Sequence, residues 1–181
     1  TTDASDEVTA EITEKPVATV TPSALSVCFG ESITFTATPV DAVEYIWNVN
    51  GVTSTTTENT LTVSEDKKYE VFVNVTSNDG CVYDNSATVT AEIYSKPTVS
   101  LTSSGNTCFG NTLTFTAEPA SDENTYTWTV NGNTYTESDE SSITFNDIDT
   151  YVVSVVMTDK NGCTTDASDE VTAEITEKPV A

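Results

Sequence analysis

A block of eighteen residues occurs twice without a single change. Thr1–Ala18 reads TTDASDEVTAEITEKPVA, and the same string returns as Thr164–Ala181, 163 positions later. Self-similarity at a fixed period is the mark of a tandem array, and it constrains the fold before any motif does. A shorter, degenerate period lies inside the longer one. CFGESITFTATP from Cys28 answers to CFGNTLTFTAEP from Cys108, and Trp47 in EYIWNVNG answers to Trp128 in TYTWTVNG. SNDGC ending at Cys81 answers to DKNGC ending at Cys163, and Lys15-Pro16, Lys96-Pro97 and Lys178-Pro179 punctuate the cycle. The sequence therefore reads as a window on a longer array. Residues 1–15 are the closing strand of a preceding repeat, 16–96 and 97–178 are two full repeats, and 179–181 begin the next. A repeat of this size holds one small β domain with a thin core.

Alternation supplies the fold class. Ile33, Phe35 and Ala37 point one way while Ser32, Thr34 and Thr36 point the other; Tyr45 with Trp47, and Val71, Val73 and Val75, continue the pattern. Leu113, Phe115 and Ala117, then Tyr126, Trp128 and Val130, then Val153, Val155 and Met157 repeat it. A period of two means strands with one buried face. Asn50-Gly51, Asn131-Gly132, Asp79-Gly80 and Asn161-Gly162 follow such runs, and these dipeptides favour type I′ hairpins. No segment carries a helical period. The spacing predicts about seven strands per repeat, in the first near 17–27, 31–38, 43–49, 52–57, 60–64, 68–76 and 82–94. Seven short strands around a central Trp describe an immunoglobulin-like sandwich. The expected architecture is all-β, with tandem sandwiches in which Trp47 and Trp128 anchor the cores. Tyr69 and Tyr151, at the start of the sixth strand, tether a corner.

Composition narrows the function. The chain carries 6 Lys, no Arg or His, and 29 acidic residues, for a net charge of −23. Such a field repels phosphate backbones and anionic lipid, which argues against nucleic acid and direct membrane insertion. No apolar run approaches the ~20 residues that cross a bilayer. Catalysis finds no footing: there is no His and no glycine-rich phosphate loop, and no pair of carboxylates stands out from the general acidity. The expectation is a non-enzyme.

The string C-x-G-x-x-x-x-F-T-A, a strand Trp, and Y-x-V-x-V-x-x-x-x-x-x-G-C together resemble the PKD-like and Ig-like repeats of giant Bacteroidetes cell-surface proteins. That group includes gliding-motility adhesins and other cargo of the type IX secretion system. The resemblance spans residues 16–178. It implies a PKD-like sandwich and a secreted, elongated adhesin or filament on the bacterial cell surface, and it brings no catalytic residue with it.

Four cysteines recur at equivalent places, and an acidic, Thr-rich β domain with such a pattern reads as oxidised and extracellular. Zinc would want CxxC clusters or His, and neither is present. Cys28 precedes the second strand and Cys81 follows the sixth. In a seven-stranded immunoglobulin topology those turns lie at opposite poles, ~26 Å apart for eight residues at about 3.3 Å each. A disulfide reaches at most ~7 Å between Cα atoms. The preferred pairing therefore crosses a repeat junction, Cys28 to Cys163, with Cys81 and Cys108 pairing to repeats outside the window. The alternative, Cys28–Cys81 and Cys108–Cys163, requires a different strand order and stays open.

The remaining candidates are ligands and partners. No cofactor is implied, and calcium is the one cation considered, since acidic loops between such domains suit it. Its candidate ligands are Asp159, Asp166, Asp169 and Glu170, echoed by Asp3, Asp6 and Glu7, with Asp79 and Asp84 as the thinner counterpart. The partners expected are neighbouring repeats of the same chain. Other copies could join through the N-terminal segment, whose Val8, Ala10 and Ile12 alternate as in an edge strand. The functional expectation is a structural, non-catalytic unit of a stiff, disulfide-stabilised stalk. A glycan- or protein-binding module, or an accessory domain of a secreted carbohydrate-active enzyme, is the alternative.

Overall fold

The computed structural model describes residues 9, 12, 18–83 and 85–180. The N-terminal segment read as the strand of a preceding repeat lies outside these, apart from residues 9 and 12. The described chain is all-β and forms two compact units that divide between Ile93 and Tyr94. That boundary falls three residues before the one the Lys-Pro punctuation suggests.

In the first unit the strands are β1 (Thr19–Pro22), β2 (Ser26–Cys28), β3 (Ile33–Thr38), β4 (Glu44–Val49), β5 (Val52–Thr56), β6 (Thr60–Val63), β7 (Lys68–Thr76), β8 (Val82–Tyr83) and β9 (Val89–Tyr94). One sheet has the order β1-β3-β6; the other runs β2-β9-β7-β4-β5, with β8 beside β7. The second unit follows the same plan. Its strands are β10 (Ser100–Ser103), β11 (Thr107–Cys108), β12 (Leu113–Glu118), β13 (Thr125–Val130), β14 (Asn133–Ser138), β15 (Ser142–Phe145), β16 (Asp149–Thr158) and β17 (Val171–Thr176). They make sheets β10-β12-β15 and β11-β17-β16-β13-β14. Each unit is thus an immunoglobulin-like β-sandwich, and the seven expected strands fall within a residue or two of their predicted places. The predicted first and last strands each split in two.

Each sandwich has its own core because the alternation points one face of every strand inward. Ile33, Phe35, Tyr45, Trp47, Val71, Val73 and Val75 fill the first; Leu113, Phe115, Tyr126, Trp128, Val153, Val155 and Met157 fill the second. Burying such a side chain stabilises the fold by about 1.5–3 kcal/mol, and Trp47 and Trp128 are fully buried. Sugar stacking on either indole is thereby ruled out.

The turns divide into two kinds. Val49 faces Val52 and Val130 faces Asn133, leaving the two-residue loops Asn50-Gly51 and Asn131-Gly132. Both residues of each loop have positive φ, Asn50 51° with Gly51 84° and Asn131 50° with Gly132 77°, as a type I′ turn demands. The two asparagines do more than tolerate this backbone. Asn50 Oδ1 accepts from Glu70 N at 2.7 Å and its Nδ2 donates to Lys68 O at 3.0 Å; Asn131 bonds Val152 N and Thr150 O in the same way.

Asp79-Gly80 and Asn161-Gly162 depart from expectation. Only the glycines have positive φ there. Gly80 N bonds Ser77 O and Ser77 N bonds Cys81 O; Gly162 N bonds Asp159 O and Asp159 N bonds Cys163 O. These are three-residue loops, a type I turn closed by a left-handed glycine, not type I′ turns. The dipeptide is shared, but the loop length selects the turn.

The corner tyrosines are placed as predicted. Tyr69 Oη donates to Glu65 O at 2.7 Å and accepts from Glu65 N at 3.1 Å, while Tyr151 Oη donates to Asp147 O at 3.1 Å. Tyr69→Phe strands two backbone groups and Tyr151→Phe one. Denaturant titration is expected to show a loss of roughly 1–3 kcal/mol for the first and less for the second.

Candidate functional site

The residues with the most chemistry sit in two recurring turns, each carrying a cysteine. The first turn opens the sheet strand β3 or β12. In the first sandwich β2 ends at Cys28, and Gly30 at φ 87° reverses the chain; Glu31 N bonds Cys28 O at 3.2 Å and Cys28 N bonds Glu31 Oε2 at 3.2 Å. In the second sandwich Gly110 takes φ 95°, Asn111 N bonds Cys108 O at 3.1 Å, and Phe109 N bonds Thr176 O at 2.8 Å. Any residue but glycine would be strained at these two positions. Between cysteine and glycine stands an aromatic ring, Phe29 or Phe109, each about half exposed. The sequence signal for this pair is their position between a cysteine and a glycine.

The second turn is the hairpin after β7 or β16. Cys81 N bonds Ser77 Oγ at 3.2 Å in the first sandwich. In the second, Asp159 Oδ1 accepts from both Asn161 N and Cys163 N at 2.9 Å, and Cys163 is 2% exposed. Beyond the hairpin, Ser86 and Ser168 continue the ladder with side chains. Their Oγ atoms accept from Val73 N and Val155 N at 3.0 Å, and their own N–H groups bond Val73 O and Val155 O.

Within each sandwich the two cysteine turns are far apart. β11 lies parallel to β17 with Cys108 level with Thr176, beside the Asp149 end of β16. Cys163 follows the other end of that ten-residue strand, ~30 Å away at about 3.3 Å per residue. In the first sandwich Glu92 N bonds Leu25 O, and Glu92 pairs with Lys68 at the start of the nine-residue β7, whereas Cys81 follows its end. Both separations exceed the ~7 Å reach of a disulfide several-fold. Cys28 and Cys163 are each disulfide-bonded, while Cys108 is a thiol.

The calcium candidates are dispersed. Asp159 is committed to its own hairpin. Asp166 takes Lys96 Nζ at 2.6 Å in an exposed ion pair, a partnership not foreseen from sequence. Asp169 and Glu170 lie on the exposed stretch before β17. Among the described residues no group of three or more His, Cys, Asp or Glu side chains converges as a metal cage; Asp3, Asp6, Glu7 and Asp84 lie outside the described residues.

Electrostatic perturbations are found at the corner turns. The hydrogen bond and charge of Lys67 hold the Glu65 carboxyl below its usual range, and Glu65 raises Lys67 in return. Burial pushes the Tyr151 phenol up, with the carboxylates of Asp147 and Asp149 adding to it. All three groups belong to turns, and Glu65, Lys67 and Tyr69 line one open pocket beside Val49, Thr62 and Val63. No helix among the described residues is long and apolar enough to cross a membrane.

No family model matches the chain, and no curated protein matches it in sequence. Several solved structures align with it at low identity. Murine CEACAM1b is 13% identical, aligned over 87% of this chain and 99% of that one, with a TM-score of 0.47. A 1.5-MDa bacterial ice-binding adhesin is 15% identical over 93% of this chain and 67% of the solved portion, with a TM-score of 0.49. The FN1-FN3 domains of chicken CNTN1 are 16% identical over 92% and 70%, with a TM-score of 0.40. The alignments say nothing of what this chain binds.

Proposed function

We propose that the chain is a structural, non-catalytic stretch of an extracellular bacterial stalk or filament, in which successive sandwiches are clamped by a Cys28–Cys163 disulfide. The observation that carries this reading is the redox pattern. Cys28 and Cys163 are oxidised, Cys108 is a thiol, and the strand order keeps each cysteine from the other in its own sandwich. A bridge from one repeat to the next accounts for all three facts. Persistent disulfides belong to oxidising surroundings, which supports a place outside the cytoplasm.

Self-contained cores suit the same role. A repeat that buries its own apolar face can be copied many times, and the dense negative charge keeps a long array soluble. The Lys-Pro steps between repeats restrict the connecting backbone. Gliding motility and type IX secretion remain part of the proposal through the resemblance of the repeat motif alone.

A second reading, a binding module for a glycan or protein, draws on the half-exposed rings of Phe29, Phe109 and Tyr135. Rotational diffusion separates the two. NMR relaxation on the oxidised chain is expected to give both sandwiches one common correlation time, and two shorter ones after reduction. Independent tumbling in the oxidised chain would remove the clamp and leave the binding module.

A further inference from the structure

We propose that a cavity in the second sandwich is a subsite for the acetamido group of a neutral N-acetylhexosamine. This deepens the binding-module reading above and does not depend on the clamp. The cavity measures about 410 Å³ and lies wholly within the second unit. Small-ligand sites typically run from roughly 300 to 1,000 Å³. Its deep lining is Met157, 2% exposed, and Asn124, 8% exposed, with the rings of Pro97 and Pro119 beside them. Its outer edge carries Glu123 and Lys160, an ion pair at 3.5 Å whose side chains are 62% and 63% exposed.

Asn124 is the group that calls for a ligand. Tyr126 Oη gives its single proton to Pro119 O at 2.6 Å, so towards its other neighbours it can only accept. The end of the Asn124 amide that lies 3.5 Å from that hydroxyl is therefore the NH2, which also stands 3.2 Å from Met157 Sδ. This orientation leaves Oδ1 as a carbonyl oxygen to which no described residue donates, on a buried side chain that lines the cavity. A buried acceptor without a donor is costly, and a ligand N–H or O–H would satisfy it. The first sandwich ties the matching loop down differently. There Tyr45 Oη reaches Pro39 O across six residues, whereas the span from Tyr126 to Pro119 is seven. Asn78 Nδ2 donates to Asp41 O at 2.9 Å, a bond from hairpin to loop that Lys160, at the equivalent position, does not make. Val75 stands where the second sandwich has Met157.

The lining selects the chemistry of the ligand. Oδ1 accepts, so the ligand must donate. The thioether and the two proline rings next to that oxygen take a small apolar group. A planar acetamide presents an N–H and a methyl together, and its carbonyl oxygen suits the Lys160 ammonium. Ser121 Oγ accepts from Glu123 N at 3.1 Å and keeps its own proton for a ring hydroxyl. Asp159 and Glu123 outnumber Lys160 in the lining, and the chain carries a net charge of −23. Acidic, sulfated or phosphorylated sugars are therefore repelled, which leaves a neutral one.

The test titrates N-acetylglucosamine into the isotope-labelled, oxidised full chain and follows the backbone amides by NMR. Saturable shifts are expected, centred on residues 119–124 and 157–161. Glucose and glucosamine, which lack the acetyl group, are expected to bind at least about tenfold more weakly, having lost a hydrogen bond and a buried methyl. Asn124→Leu keeps the outline of the side chain without the acceptor and is expected to weaken binding about tenfold. Should that variant lose its fold, Met157→Val decides instead, with a several-fold loss expected from the thinner apolar wall. The proposal is overturned by an absence of saturable shifts, by shifts centred outside the cavity, or by equal affinity for glucose. Parental affinity in a folded variant, or tighter binding of the peptide mimic N-acetylglycine methylamide, overturns it as well. None of these outcomes bears on the pairing of Cys28 with Cys163, so a failure here leaves the clamp reading in place.

Discussion

Trp47→Ala is expected to unfold the first sandwich and leave the second standing. Trp47 is fully buried at the centre of its core, and its Nε1 donates to Thr56 Oγ1 at 3.2 Å. Truncating a buried Trp costs about 3–5 kcal/mol. A sandwich of this length holds only roughly 0.05–0.15 kcal/mol per residue in total, so the loss takes a large share of its stability. The two cores share no residue, and each contains one of the chain's two tryptophans. Fluorescence in Trp47→Ala then reports on Trp128 alone. Its denaturation midpoint is expected to stay near the parental value while circular dichroism loses about half its native β signal. The converse variant, Trp128→Ala, should exchange the roles. A joint collapse of both sandwiches in either variant would show that they are one folding unit.

The second large effect is expected from the disulfide. Reducing the chain, or making the Cys28→Ser/Cys163→Ser double variant, should lower stability by about 2–4 kcal/mol, because the cross-link restrains the unfolded ensemble. For a chain of this size that is a fall in Tm of roughly 10 °C. Cys163→Ser alone is expected to cost more than Cys28→Ser alone. Its side chain is buried at 2% exposure, and a hydroxyl there must be desolvated. Cys108→Ser is the control and should leave the melt of the monomer in place. Scanning calorimetry with and without reductant measures all four. Equal melts in the oxidised and reduced chain would mean that the bond constrains nothing that folding had to order.

Most of the fold could be read in advance because burial on one face imposes a period of two. Val71, Val73 and Val75 had to face inward once Phe72, Asn74 and Thr76 faced out, and Trp47 had to share the side of Tyr45. Tyr69 and Tyr151 were legible from their place at the head of a long strand. What escaped were features that depend on distance along the chain after folding. Asp79-Gly80 looks like Asn50-Gly51 in sequence, but one hairpin loop is longer, and length decides the turn. The ties from Tyr45 Oη to Pro39 O and from Tyr126 Oη to Pro119 O, both 2.6 Å, have no sequence signal beyond the rings themselves. The Lys96–Asp166 ion pair joins residues seventy apart, which no local pattern announces. Among the described residues the acidic candidates form no metal cage, since their spacing follows overall charge and not a loop geometry.

Non-reducing digestion of the natively oxidised chain, with mass spectrometry of the cross-linked peptides, tests the clamp most directly. The expected product joins the peptide containing Cys28 to the peptide containing Cys163, with the Cys108 peptide recovered as a thiol from monomeric chain. A product joining Cys28 to Cys81, or Cys108 to Cys163, would place each bond inside one sandwich and contradict the clamp.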